Sequence, residues 1–168
     1  MSLEIIKEFQ TLIASSFASI IVLTYYFLKQ RLDKEIVKRE LFIQLNNKYD
    51  SLNDHLEELI HIEFDTHIQE KMGNAHSLDE VWSNLFESEP IRIPKPIAVT
   101  FDYVNLCSEQ YYWYRKGFVD EKVWKCWKKG MKDWYKNSFF LQKVIKREKD
   151  NDASYYNDNF LDIFTKDK

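Results

Sequence analysis

Twenty consecutive residues without a charge, Phe9 to Leu28 (FQTLIASSFASIIVLTYYFL), constrain this chain more than any other feature. A helix rises about 1.5 Å per residue, so the run reaches about 30 Å, the thickness of a bilayer's hydrocarbon core. Its flanks suit a membrane. Tyr25, Tyr26 and Phe27 stand at one end, where amphipathic rings favour the headgroup level, and Lys29 and Arg31 follow. A cleaved signal peptide would want a basic start, a shorter apolar run and small residues at its end. Here Glu4, Lys7 and Glu8 precede the run and bulky aromatics close it. The competing reading is a buried helix of a soluble protein, because Gln10, Thr11 and three serines dilute the run. The expectation is a single membrane anchor over residues 1–30. The mean hydropathy of the whole chain, −0.50, excludes a multi-span transporter.

The basic residues orient the anchor. Lys7 alone precedes it, whereas Lys29, Arg31, Lys34, Lys38 and Arg39 follow closely. The positive-inside rule then puts the amino terminus outside and the body in the cytoplasm, at the inner membrane of a bacterium. Cys107 and Cys126 form no C-x-x-C pair and fit a reducing compartment, both reading as small core residues.

An all-α fold is expected, with the transmembrane helix continuing into a long juxtamembrane helix over 31–72 and a helical cytoplasmic domain over 73–168. No strand-like alternation stands out, and residues 29–70 contain neither Gly nor Pro. Within that stretch Phe42, Leu45, Tyr49, Leu52, Leu56 and Leu59 recur at spacings of 3 and 4. This narrow a/d seam serves equally a coiled coil between chains or an antiparallel helix pair within one. In the anchor, Ala14 and Ala18 form a small-xxx-small pair of the kind that lets helices approach in lipid. Together the two features point to a homo-oligomer.

Gly73 reads as a helix cap, and Ser77-Leu78-Asp79-Glu80 as a capping box opening a short helix through Val81, Trp82, Leu85 and Phe86. Pro90, Pro94 and Pro96 mark an extended connection. Helices are then expected from Ile97 to Lys116, from the Asp120 cap through Val123, Trp124, Trp127, Met131, Trp134 and Tyr135, from Phe139 to Lys149, and from Ser154 to Phe164. Aromatics make up 16% of the chain, enough large side chains to core a small body.

Charge is blocked along the chain. Residues 50–90 hold eleven Asp and Glu against one Lys, net −10. Residues 115–149 hold twelve Lys and Arg against four acids, net +8. The blocks could dock on each other, or the basic one could face anionic lipid, nucleotide or nucleic acid. A merely solvated helix face is the plain alternative. The run Tyr111-Tyr112-Trp113-Tyr114-Arg115-Lys116, with Lys122, Lys125, Lys128, Lys129 and Lys132, interleaves rings and cations as single-strand and nucleotide binders do. Trp124, Trp127, Met131 and Trp134 keep the core period, so packing explains the tryptophans, but it leaves the excess of lysines unaccounted for. Arg115, Lys116, Lys122, Lys125, Lys129 and Lys132 are the candidate ligand-binding residues.

Catalytic motifs are absent. There is no G-x-S-x-G, P-loop or G-x-G-x-x-G, and three glycines could hardly build one. Glu58-Leu59-Ile60-His61, with Asp65 one turn on, is half of a di-iron helix motif, but no second E-x-x-H exists to complete it. Glu58, His61 and Asp65 are therefore weak metal candidates, and no cofactor is expected.

Phe101-Asp102-Tyr103-Val104-Asn105, Tyr114-Arg115-Lys116-Gly117-Phe118-Val119-Asp120-Glu121 and Trp134-Tyr135 carry a likeness. This segment, with the anchor, resembles a family of small bacterial and phage single-pass membrane proteins sharing a C-terminal domain of unknown function. The resemblance implies an aromatic-rich helix ending at a basic-Gly turn, a capped second helix and an N-terminal membrane helix; it names no chemistry. The lysine-rich helix around Trp124 and Trp127 departs from that pattern. The expected function is a non-enzymatic membrane-anchored sensor or effector, of the build found in antiviral (phage) defence, binding a partner or an anionic ligand such as a signalling nucleotide. The alternatives are a membrane-tethered scaffold subunit and a metal-dependent enzyme.

Overall fold

The computed structural model describes residues 3–73, 76–87, 95–151, 155 and 159–166. Six helices account for them: α1 (Leu3–Lys71), α2 (Leu78–Glu87), α3 (Lys95–Arg115), α4 (Glu121–Asn137), α5 (Phe139–Asp150) and α6 (Asp162–Thr165). No strand occurs among the described residues, as the all-α expectation requires.

Two compact units divide the chain, Met1–Leu41 and Phe42–Lys168. The division falls inside α1 and not at residue 72, where the sequence places the start of the body. The physical reason is the seam. Leu45, Leu56 and Leu59 are buried in a single chain, and Tyr49 and Leu52 pack against the main core. The stripe is thus covered from within, the second of the two arrangements its spacing allowed. Phe42 stacks on Trp127 with centroids 5.9 Å apart, and Lys48 meets Glu109 of α3 at 2.6 Å. The indole Nε1 of Trp134 donates to the Tyr49 hydroxyl at 3.1 Å.

The core of the second unit gathers Tyr103, Val104 and Cys107 of α3, Trp124 and Met131 of α4, Leu141, Val144 and Ile145 of α5, and Phe160 and Phe164. Each helix end has a local cause. Ser77 and Glu80 bond reciprocally, the Glu80 N–H to Ser77 Oγ at 3.1 Å and the Ser77 N–H to Glu80 Oε2 at 2.9 Å, completing the capping box. The chain leaves α3 through Gly117, whose φ of +75° few other residues adopt without strain. There the Phe118 N–H reaches the Trp113 carbonyl and the Gly117 N–H the Tyr114 carbonyl, while the Phe118 and Trp113 rings meet edge-on at 5.5 Å. That is a complete Schellman stop, hydrophobic contact included. Asp120 then accepts the Lys122 N–H at 2.8 Å and opens α4.

Two expectations change. Pro96 lies in the first turn of α3, which begins at Lys95, while Pro90 and Pro94 fall outside the described residues. The last helix among the described residues is α6, four residues long; the start of the expected run, at Ser154, lies outside them. Asn159 to Leu161 form tight turns closed by bonds to the third residue back before α6 begins.

Candidate functional site

Three features carry chemistry or contact. The first is the apolar run of α1. Eleven large side chains between Leu12 and Leu28 are 42% to 67% exposed, with nothing among the described residues covering them. Burying one such side chain is worth roughly 1.5–3 kcal/mol, so holding the whole run in water forgoes on the order of 20 kcal/mol. α1 is the one helix among the described residues long and apolar enough to cross a membrane, judged by length and composition. Its hydroxyls do not spoil that. Thr11, Ser15, Ser16, Ser19 and Thr24 each donate to a backbone carbonyl three or four residues back, at 2.8 to 2.9 Å. A hydroxyl satisfied inside its own helix loses most of the penalty for leaving water. Ala14 and Ala18 are exposed on this run.

The second feature is a ridge of lysines on α4. At about 100° per residue, Lys122, Lys125, Lys129, Lys132 and Lys136 follow one another at spacings of 3, 4, 3 and 4 along one line. They occupy the face away from Trp124 and Met131, which are buried, so the helix separates core from charge cleanly. Lys125 meets Glu121 at 3.5 Å and the Lys132 ammonium donates to the Lys166 carbonyl. Lys122, Lys129 and Lys136 have no partner among the described residues. Hydrogen bonding from the Tyr114 hydroxyl, and then the Lys125 charge, hold the Glu121 carboxyl below its ordinary range, so it stays ionised beside the ridge. Arg115 and Lys116 stand elsewhere, at the end of α3, each over a ring of its own helix, Tyr111 at 5.9 Å and Tyr112 at 5.4 Å. Lys136 was missed in the sequence, although it continues the same spacing.

Between the acidic and basic blocks, Lys143 pairs with Asp79. A different acid makes the tighter joint. Glu63 is 6% exposed, and its carboxylate accepts from Ser138 Oγ at 2.8 Å, the Phe139 N–H at 2.8 Å and the Phe140 N–H at 2.9 Å. It thereby caps α5 from α1. Burial raises the Glu63 carboxyl above its ordinary value, against the opposing pull of those hydrogen bonds.

The third feature is a cavity of about 260 Å³ between α1, α3 and α4. Asn46, Tyr49, Gln110, Tyr103, Trp127 and Gly130 line it, and no charged side chain does. Gln110 is 4% exposed, and its carboxamide has no hydrogen-bond partner among the described residues. Gly130 sits mid-helix, where Gly costs about 1 kcal/mol relative to Ala. A β-carbon there would meet nothing within 4 Å, so packing gives no reason for a glycine.

The metal candidates do not converge. Glu58 faces His55 at 3.6 Å, and Glu58, His61 and Asp65 are all exposed on α1. Among the described residues no three His, Cys, Asp or Glu side chains gather as a metal site would require. Cys107 is fully buried, and burial pushes its thiol far up, as it does the Tyr103 phenol. Neither is an available nucleophile.

No family model, curated protein or solved structure matches this chain.

Proposed function

We propose that this chain is a non-enzymatic, membrane-anchored sensor or effector whose helical body receives an anionic ligand on the α4 lysine ridge. The observation that carries the reading is the line of five lysines on one helix face, three without a partner among the described residues. A helix that gathers positive charge along about 20 Å holds a potential that falls when a polyanion lies against it. Phosphate groups suit such a row, since each ammonium acts as a point charge.

The exposed apolar run supports the membrane half of the proposal, with the body on the cytoplasmic side as the basic flank of Lys29 to Arg39 favours. In that arrangement several copies clustered through the Ala14–Ala18 face would transmit ligand binding to the bilayer, as phage-defence effectors of similar build are expected to do. The test uses the full chain in nanodiscs, titrated with inorganic tripolyphosphate at two ionic strengths. Saturable binding that weakens with salt, and that Lys125→Glu with Lys129→Glu abolishes while the helical signal is retained, is expected. Unchanged binding in the double variant would overturn the reading.

A further inference from the structure

We infer that the cavity between α1, α3 and α4 binds a planar nitrogen heterocycle of the nucleobase class. This goes beyond the reading of the lysine ridge and does not depend on it, since no charged residue lines the cavity. Three observations converge. The first is polar demand. Gln110 is 4% exposed and lines the cavity, and its carboxamide has no hydrogen-bond partner among the described residues. Asn46 adds a second carboxamide at the same wall. The Tyr49 hydroxyl accepts from Trp134, and its own proton has no acceptor among the described residues. Together these groups give the lining both donors and acceptors, which the edge of a base can meet in return.

The second observation is shape. Trp127, partly exposed, supplies an aromatic wall on which any base can stack through its π-face. A cavity of about 150 Å³ takes a benzene ring, so 260 Å³ has room for a fused two-ring system. The third is Gly130. A β-carbon there would meet nothing within 4 Å, yet the helix keeps its least favourable ordinary residue at a position that lines the cavity. An open mouth accounts for that choice.

The base could arrive as a nucleoside, a nucleotide or part of a single strand, and the experiment separates them. The detergent-solubilised full chain is titrated by calorimetry with adenosine, guanosine, cytidine and uridine, then with the 5′-monophosphate and a tetranucleotide of whichever binds. One nucleoside is expected to bind with a dissociation constant below about 1 mM. Gln110→Leu should weaken it about tenfold or more, the loss typical of a paired carboxamide–base contact. Gly130→Leu should block it while the melting midpoint holds or rises. Equal affinity for nucleoside and monophosphate assigns the site to the base alone, and tighter tetranucleotide binding assigns it to single strands; either supports the inference. Three results overturn it: no nucleoside binding below 1 mM, binding that survives Gly130→Leu, or indole binding as tightly as the nucleoside with Gln110→Leu changing neither.

Discussion

Replacing Glu63 tests how α1 is fastened to the body. Its carboxylate accepts three hydrogen bonds, two of them from the first N–H groups of α5, which have no partner in their own helix. Glu63→Ala removes all three. A buried donor left without an acceptor costs about 1–3 kcal/mol, and the loss is offset in part because a desolvated carboxylate no longer has to be held. The expected net destabilisation is about 3 kcal/mol, and about 1–2 kcal/mol for Glu63→Gln, which keeps the volume and one acceptor oxygen. Exposed Glu57→Gln is the control, within about 0.5 kcal/mol. Equilibrium denaturant unfolding of the full chain in micelles, followed by tryptophan fluorescence, measures each. The pH dependence sharpens the test. Burial, the largest influence, raises the folded Glu63 pKa above its ordinary 4.5. The folded state therefore binds this proton more tightly than the unfolded state does. The wild type's advantage over Glu63→Gln should be greatest below pH 4.5, shrink as pH rises through the folded pKa, and flatten above it. A wild-type advantage that grows with pH across that window would mean the hydrogen bonds outweigh desolvation, refuting the assignment.

Further outcomes follow from single residues. Ser108 is fully buried and its hydroxyl has no partner among the described residues, so Ser108→Ala should be neutral or stabilising by about 1 kcal/mol in the same unfolding assay. The two helical-segment glycines should respond oppositely to alanine. Gly117→Ala, at φ +75°, should cost about 1 kcal/mol, whereas Gly130→Ala, in open helical space, should raise stability by up to about 1 kcal/mol. Leu56→Ala, at a seam position covered by the core of its own chain, should cost about 2–5 kcal/mol at every protein concentration. A cost that shrank on dilution would instead place the seam between chains.

Much of the fold is legible in the sequence because its signals are local. The capping box at Ser77, the Asp120 cap and the Gly117 stop each depend on residues within a few positions of one another, and all three stand as their spacing requires. The seam of Phe42 to Leu59 was legible as a stripe but not as a partner choice, since a 3–4 repeat is the same whichever helix fills it. Its next position is Glu63, and that was the overlooked signal. A carboxylate in core register must meet donors from another element, here α5. Gln110 is a parallel case. It falls on the buried face of α3 with Tyr103 and Cys107, a polar residue on an apolar period whose surroundings only the fold reveals. The cavity joins residues from 46 to 130 and was beyond any local reading. The α4 ridge is half legible: its lysines stand plainly in the sequence, and the bounds of the helix set them on a single line.

The central claim, an anchored chain with its body inside the cell, rests most directly on one native thiol. Cys126 is exposed on the body and Cys107 is fully buried, so a membrane-impermeant maleimide should report on Cys126 alone in the folded protein. In bacterial spheroplasts expressing the chain, the account has the protein staying in the membrane pellet after alkaline carbonate extraction. Cys126 should be labelled after permeabilisation and protected before it. Extraction into the soluble fraction, or labelling of Cys126 in intact spheroplasts, would contradict it.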